Sequence, residues 1–215
     1  MPTRKPSNNG GNIIGYFPSA KNDRSIGYEG PTEGDYCYIL EHRKEVRAFE
    51  EQPFAIPYLH AGKSRRYTPD FRVDEDGQIV VVECKPAVFV DTEENRRKFA
   101  AAEAWCAERG YVFRVVTDAE LHRDHLLANL RRLMPFVAEI DTAQADAALA
   151  LLATPTPPAT LDALERALRR RHVDALPTLF GLLFRQSIVA PLADMPLGPE
   201  LPVALPERAG EGGPG

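Results

Sequence analysis

The apolar pattern along the chain changes period several times, and each change marks an expected element. Tyr36, Cys37, Ile39, Leu40 and Val46 fall on one stripe and predict a helix over residues 31–47, with Pro31 in its first turn. Residues 49–58 read as one extended segment, a strand pairing with a hairpin further along the chain. That hairpin is signalled by residues 71–73 and 79–84, β-prone runs on either side of Asp76-Gly77, the signature of a two-residue type I′ turn in which both central residues need positive φ. The pairing is antiparallel, with Glu75 opposite Gln78 and Asp70 opposite Glu83. Side chains alternate along a strand, so Ile79, Val81, Glu83 and Lys85 share a face and Cys84 lies on the other. Helical spacing returns over residues 93–109, with Phe99, Ala102 and Cys106 inward, Trp105 in the core or an interface, and Gly110 as the C-cap. Residues 111–116 predict a buried strand, parallel to the 79–84 strand. Thr117 to Glu120 forms a capping box opening a helix as far as Met134.

A hairpin followed by strand, helix, strand and helix predicts a mixed α/β core. Beyond it the pattern becomes helical: residues 143–153, then a stiff Pro-rich breaker, a helix over 161–172 capped by Thr160, and an apolar helix over 176–185 interrupted at Pro177 and Gly181. Residues 187–205 are Pro-rich and suit a β-wing or an extended arm. The expected organisation is a mobile arm at 1–12, an α/β domain at 13–138, a helical winged-helix-like domain at 139–206 and a disordered tail at 207–215. Residues 13–18 form an ordered lead-in, and residues 21–30 fold over the hairpin or reach DNA.

Composition narrows the function. A hydrophobic content of 44% supports a packed core, and a net charge of −5 argues against a freestanding tight DNA binder without excluding a nuclease. Three cysteines without C-x-x-C spacing suit core positions better than a zinc site or a disulfide framework. His122 and His125 lack further zinc partners and are expected in solvated or capping roles. No apolar run approaches the ~20 residues needed to span a bilayer, and no apolar signal core is present. The expectation is therefore a cytoplasmic protein with no membrane partner.

The candidate chemistry lies at the hairpin end. Directly opposed Asp70 and Glu83 would have Cβ atoms ~5 Å apart, where like charges destabilise the pair. A hard divalent cation removes the conflict, and Lys85 on the same face can hold a water or a phosphate oxygen. This is an arrangement for metal-assisted phosphodiester hydrolysis; the competing reading is an edge hairpin with solvated charges at its ends. Glu33 projects from the inward side of the first helix, either as a third ligand or water-activating base, or as an acid favoured by the helix dipole. Glu29 competes for the same role. Glu41 and Glu45 are assigned to the exposed face. Gln52 either positions water in the site or marks a strand edge. Residues 60–66 read as a basic loop whose Lys63, Arg65 and Arg66 can meet a phosphate backbone.

Tyr67-Thr68-Pro69-Asp70-Phe71 with Glu83-Cys84-Lys85-Pro86 resembles the PD-(D/E)xK nuclease superfamily. With Gly15 to Ser19, Lys21, Tyr28-Glu29, Glu33, Asp35-Tyr36, Glu51-Gln52-Pro53, Val115 to Asp118 and Asn129-Leu130, the chain more narrowly resembles the TnsA-type endonuclease subunit of heteromeric bacterial transposases. The resemblance spans roughly residues 13–137. It implies a restriction-endonuclease-like core and an Mg²⁺-dependent endonuclease, with Mn²⁺ able to substitute, cutting double-stranded DNA at transposon ends. It also implies two partners, a DDE-type transposase subunit and an AAA+ ATPase regulator. The implied catalytic set is Glu33, Asp70, Glu83 and Lys85, with Glu33, Asp70, Glu83 and the Cys84 carbonyl as metal ligands. Gly34 departs from the family pattern and is expected to loosen the first helical turn, since an interior Gly costs ~1 kcal/mol relative to Ala. Two other readings stand beside this one: another PD-(D/E)xK nuclease of phage, repair or restriction type, and a non-catalytic adaptor binding DNA or a partner.

Overall fold

The computed structural model describes residues 15–60, 62–170 and 174–207. The expected arm at 1–12, the first two residues of the lead-in and all of the tail but Glu207 lie outside the described residues. The chain divides into two compact units, one ending at Arg123 and the next starting at Asp124. The second unit therefore starts ahead of the residue 139 expected from the sequence.

In the first unit, β1 (Gly15–Ser19) and β2 (Arg24–Tyr28) form an antiparallel hairpin. Helix α1 (Pro31–His42) follows. It is shorter than the apolar stripe suggested: Val46 belongs to β3 (Val46–Glu51), where it is buried on a strand. The expected extended segment over 49–58 is two strands in two sheets. β3 pairs with β6 (Phe71–Glu75), while β4 (Ile56–His60) pairs with β5 (Lys63–Tyr67) in a separate hairpin. The central sheet runs β3, β6, β7 (Gln78–Lys85), β8 (Val112–Thr117), antiparallel except for the parallel β7–β8 pair.

The hairpin register is the expected one. Glu75 pairs with Gln78 and Phe71 with Val82, and the turn residues Asp76 and Gly77 have φ of 51° and 88°. β7 is central, and Val80 to Cys84 are all buried, as a strand covered on both faces requires. Phe71 is the hub of this core, edge-on to Tyr36 at 6.0 Å and Phe49 at 6.3 Å between ring centres. Helices α1 and α3 (Glu93–Ala107) flank the strands, and a short turn of helix, α2 (Ala87–Val90), separates β7 from α3. Gly110, at φ 68°, closes α3 in the left-handed conformation that its missing Cβ permits. Thr117 caps α4 (Asp118–Leu121) by accepting from the Glu120 N–H at 3.1 Å. The long helix expected to reach Met134 is broken after Leu121, and α5 (Leu126–Leu133) belongs to the second unit.

The second unit packs α5, a 3-10 turn (Met134–Glu139), α6 (Thr142–Leu152), α7 (Leu161–Arg169) and α8 (Leu176–Phe184). Thr160 caps α7 as expected. Helix α8 is not interrupted. Pro177 sits in its first turn, and Gly181 lies where a Cβ would come within 2.5 Å of Ile140 and 2.8 Å of the Phe136 carbonyl, so it permits close packing. The segment 187–205 is extended and makes isolated bridges, Val189 with Ala204 and Thr160 with Pro202, without forming a paired wing among the described residues. Asn129 pins it, donating to the Leu192 and Met195 carbonyls and accepting from the Leu197 N–H. No helix of the described residues is long and apolar enough to cross a membrane.

Candidate active site

Asp70 stands one residue before β6, at the point where the Asp70–Glu83 register continues off the ladder. Pro69 lacks an N–H, and the Asp70 carbonyl is taken by the Gln52 N–H at 2.8 Å. The chain bends there, and the Asp70 carboxylate reaches across the hairpin to accept from the Cys84 N–H at 2.7 Å. Glu83 is buried on β7 with both oxygens engaged: the Tyr67 hydroxyl donates to Oε2 at 2.6 Å and the Lys85 ammonium lies 2.8 Å from Oε1. Glu33, in the first turn of α1, accepts from the Glu29 N–H at 3.0 Å. Glu29 is thus a neighbour of Glu33 through its backbone. Gln52 is buried at the end of β3 with φ of 44°, a left-handed conformation that sends the chain away from the sheet.

The electrostatics tie these groups together. Burial, with the Glu29 and Glu83 carboxylates, pushes Glu33 up to about 7, against the opposing pull of the Glu29 N–H and Lys85. Burial, then Glu83 and Glu33, hold Asp70 well above the usual carboxylate range. Burial alone would lower Lys85, but Glu83, Asp70 and Glu33 outweigh it and keep the ammonium charged. The Tyr67 phenol is raised by burial and by Glu83, so it stays protonated and donates. The Cys84 thiol is likewise raised by burial beside Asp70. It remains neutral, which leaves its carbonyl as the donor suited to a hard cation.

The donor chemistry fits a divalent cation. Burial and neighbouring carboxylates oppose the ionisation of Asp70 and Glu33, and Lys85 is the cation that relieves both. Asp70 and Glu33 each commit one oxygen to a backbone N–H, leaving the second for a ligand. Among the described residues no three acidic, histidine or cysteine side chains close into a complete cage. Mg²⁺ does not need one, because it keeps several waters and takes one or two carboxylates.

Other charged residues depart from expectation. Glu41 is buried, accepting from Ser19 Oγ at 2.7 Å and from the Ala20 and Lys21 N–H groups. A carboxylate at that depth needs such partners, and they come from the turn of the β1–β2 hairpin, which the sequence did not reveal. Glu45 is exposed as expected. Lys21 donates to the Leu40, Arg43 and Val46 carbonyls, closing the C-terminal end of α1. Gly34 also has a packing role in α1: a Cβ there would lie 2.8 Å from the Tyr28 ring, so its absence lets Tyr28 seat against the helix. His122 pairs with buried Asp35 at 2.8 Å and ties α4 to α1. Lys63, Arg65 and Arg66 are exposed on β5, a strand rather than a loop, and make no ion pair among the described residues.

A mixed sheet flanked by helices, with an antiparallel hairpin delivering an Asp, a Glu and a Lys to one end, fits a restriction-endonuclease-like core. Residues 43–118 match the family model described as TnsA-like endonuclease N terminal, 76 of the 215 residues. That segment matches this domain family, which supports a TnsA-type endonuclease. The match takes in Gln52, Lys63, Arg65, Arg66, Tyr67, Asp70, Glu83, Cys84 and Lys85; Glu29 and Glu33 lie ahead of it. No curated protein matches the chain.

Proposed function

We propose that the chain is a metal-dependent DNA endonuclease that hydrolyses a phosphodiester at transposon ends within a transposase complex. The observation that carries this reading is the gathering of Glu33, Asp70, Glu83 and Lys85 in one site, where burial and neighbouring carboxylates raise Asp70 and Glu33. Carboxylates held close in a desolvated site are costly unless a cation joins them. Asp70 and Glu83 would hold Mg²⁺ or Mn²⁺, with Glu33 and the Cys84 carbonyl as further donors. The ion supplies Lewis-acid polarisation of the phosphoryl oxygen and lowers the pKa of a bound water. Lys85 orients the attacking water and balances the charge that develops on the phosphate. Glu33, raised to about 7, is poised near neutrality to accept the proton of that water.

Lys63, Arg65 and Arg66 supply phosphate contacts from the β4–β5 hairpin. The twelve residues 56–67 contain these three cations and no acid, in a chain of net charge −5. The partners in this reading are double-stranded DNA, a DDE-type transposase subunit and an AAA+ regulator. The second unit, built on the helices α6 to α8, serves as a docking module, and the protein works in the cytoplasm. The deciding experiment is a nicking assay on transposon-end DNA, with partners supplied and Mn²⁺ titrated. Cleavage that requires Mn²⁺ and vanishes in Asp70→Ala supports the reading; undiminished cutting by that variant defeats it.

A further inference from the structure

Tyr67 comes from outside the sheet that carries the acids. It is the last residue of β5, and it is 7% exposed. It is seated against Ile56 and Ala102, with Phe54, Tyr58, Trp105 and Phe113 packed around that cluster. A ring fixed in this way fixes its hydroxyl, since a Tyr side chain has only two torsions to set. The hydroxyl donates to Glu83 Oε2 at 2.6 Å, in the short range of bonds to an ionised acceptor. A buried Tyr needs some partner for its hydroxyl, and a backbone carbonyl would satisfy it. Here the partner is one oxygen of a carboxylate that belongs to the site. The other oxygen, Oε1, carries the Lys85 ammonium at 2.8 Å. The two oxygens are therefore differentiated: one is bound to a neutral donor locked in an apolar seat, the other to a positive charge on a flexible stem.

We propose that Tyr67 is a positioning residue: by holding Oε2 of Glu83 it fixes the carboxylate so that Oε1 is presented to the divalent cation. The inference rests on the nuclease reading. It gives the β4–β5 hairpin a task beyond carrying cations, because the same strand that exposes Lys63, Arg65 and Arg66 ends in the group that orients a metal-binding acid. Hydrogen bonds to ligating carboxylates tune affinity, and losing one typically costs 10–100-fold.

The test is Mn²⁺ binding by isothermal calorimetry on the full chain, wild type against Tyr67→Phe, with melting temperatures measured in parallel. The phenylalanine ring keeps the apolar seat. The expected result is a similar melting temperature with Mn²⁺ affinity weakened about 10-fold or more. In cleavage, the half-saturating Mn²⁺ concentration should rise by the same factor, while the rate at saturating Mn²⁺ recovers toward wild type. A purely structural tyrosine would not separate those two quantities. Equal Mn²⁺ affinity in both chains overturns the inference and leaves the nuclease reading standing. A wild-type chain that takes up no Mn²⁺ overturns both. If the variant does not fold, the wild type decides the matter: Mg²⁺ binding should perturb the near-UV absorption of a buried tyrosine, and a silent spectrum at saturation overturns the inference.

Discussion

Two hairpins of the first unit share a design and differ in where they put charge. β4–β5 and β6–β7 are both antiparallel, and each turns on a glycine with positive φ, Gly62 at 71° and Gly77 at 88°. In β4–β5 the charges are cations in water, where each costs little. At the open end of β6–β7 and in its flank, Asp70, Glu83 and Glu33 are acids withdrawn from water, where burial and neighbouring carboxylates push Asp70 and Glu33 toward their neutral forms. The basic residues around the central sheet are paired: Arg24 with Glu51, Arg43 and Arg114 with Glu75, Arg47 with Asp76, Arg72 with Glu50. Lys63, Arg65 and Arg66 of the β4–β5 arm have no such acid among the described residues. The difference separates two kinds of functional evidence. An exposed cation is informative only as part of an unneutralised set, and a buried acid only where, unlike Glu41 and Glu51, local hydrogen bonds and ion pairs do not already offset its burial.

The largest expected effect breaks the acidic side. Asp70→Ala should lower cleavage by at least about 10³-fold, since the ion's charge stabilisation is worth several kcal/mol and about 1.36 kcal/mol is tenfold in rate. Single-turnover nicking checks it, with circular dichroism confirming the fold. Next, Lys63→Ala, Arg65→Ala and Arg66→Ala together test the basic side. Binding should weaken regardless of DNA sequence, and the slope of log affinity against log salt should become shallower by about 3 if each cation meets one phosphate. An unchanged slope would remove the arm from the DNA interface.

A third prediction sharpens the contrast through pH. Glu33 is raised from 4.5 to about 7, so its contribution to stability is fully present below pH 4.5 and is lost as pH rises through about 7. The metal-free wild type should therefore lose stability over that window relative to Glu33→Gln, by about 1–3 kcal/mol at pH 7.5. Denaturant melts at pH 5 and 7.5 in chelator test this; parallel curves would show that Glu33 ionises as freely as an exposed acid. The smallest effect is the control. Lys98→Ala removes a surface pair with Glu94 on α3 and should change stability by less than about 0.5 kcal/mol.

The sequence made the β6–β7 hairpin legible because its turn leaves a strong local signature and its register comes from counting. The β7–β8 pairing and the Thr117, Thr160 and Gly110 caps were legible for similar local reasons. What stayed hidden depends on contacts distant in sequence. Lys63 to Arg66 alternate in no way that distinguishes a solvated strand from a loop. Glu41 looked like one more charge on a polar helix face until the β1–β2 turn closed over it. The Tyr67–Glu83 bond joins two hairpins, and no periodicity within either one could show it. Glu33 was recognisable from its inward spacing on α1; that its burial raises it to about 7 depends on the folded surroundings.

The ion pair between Arg24 and Glu51 bears on how this chain can be shortened. Glu51 is buried and lies inside the family-matched segment 43–118, while its bidentate guanidinium, at 2.6 and 2.8 Å, is supplied from β2 outside that segment. Excising 43–118 as a minimal domain would strand that carboxylate without the Arg24 guanidinium and the Gly27 N–H that now hold it. The sensible boundary for a trimmed chain therefore falls ahead of β1, with the whole first hairpin retained as the counter-charge of the central sheet.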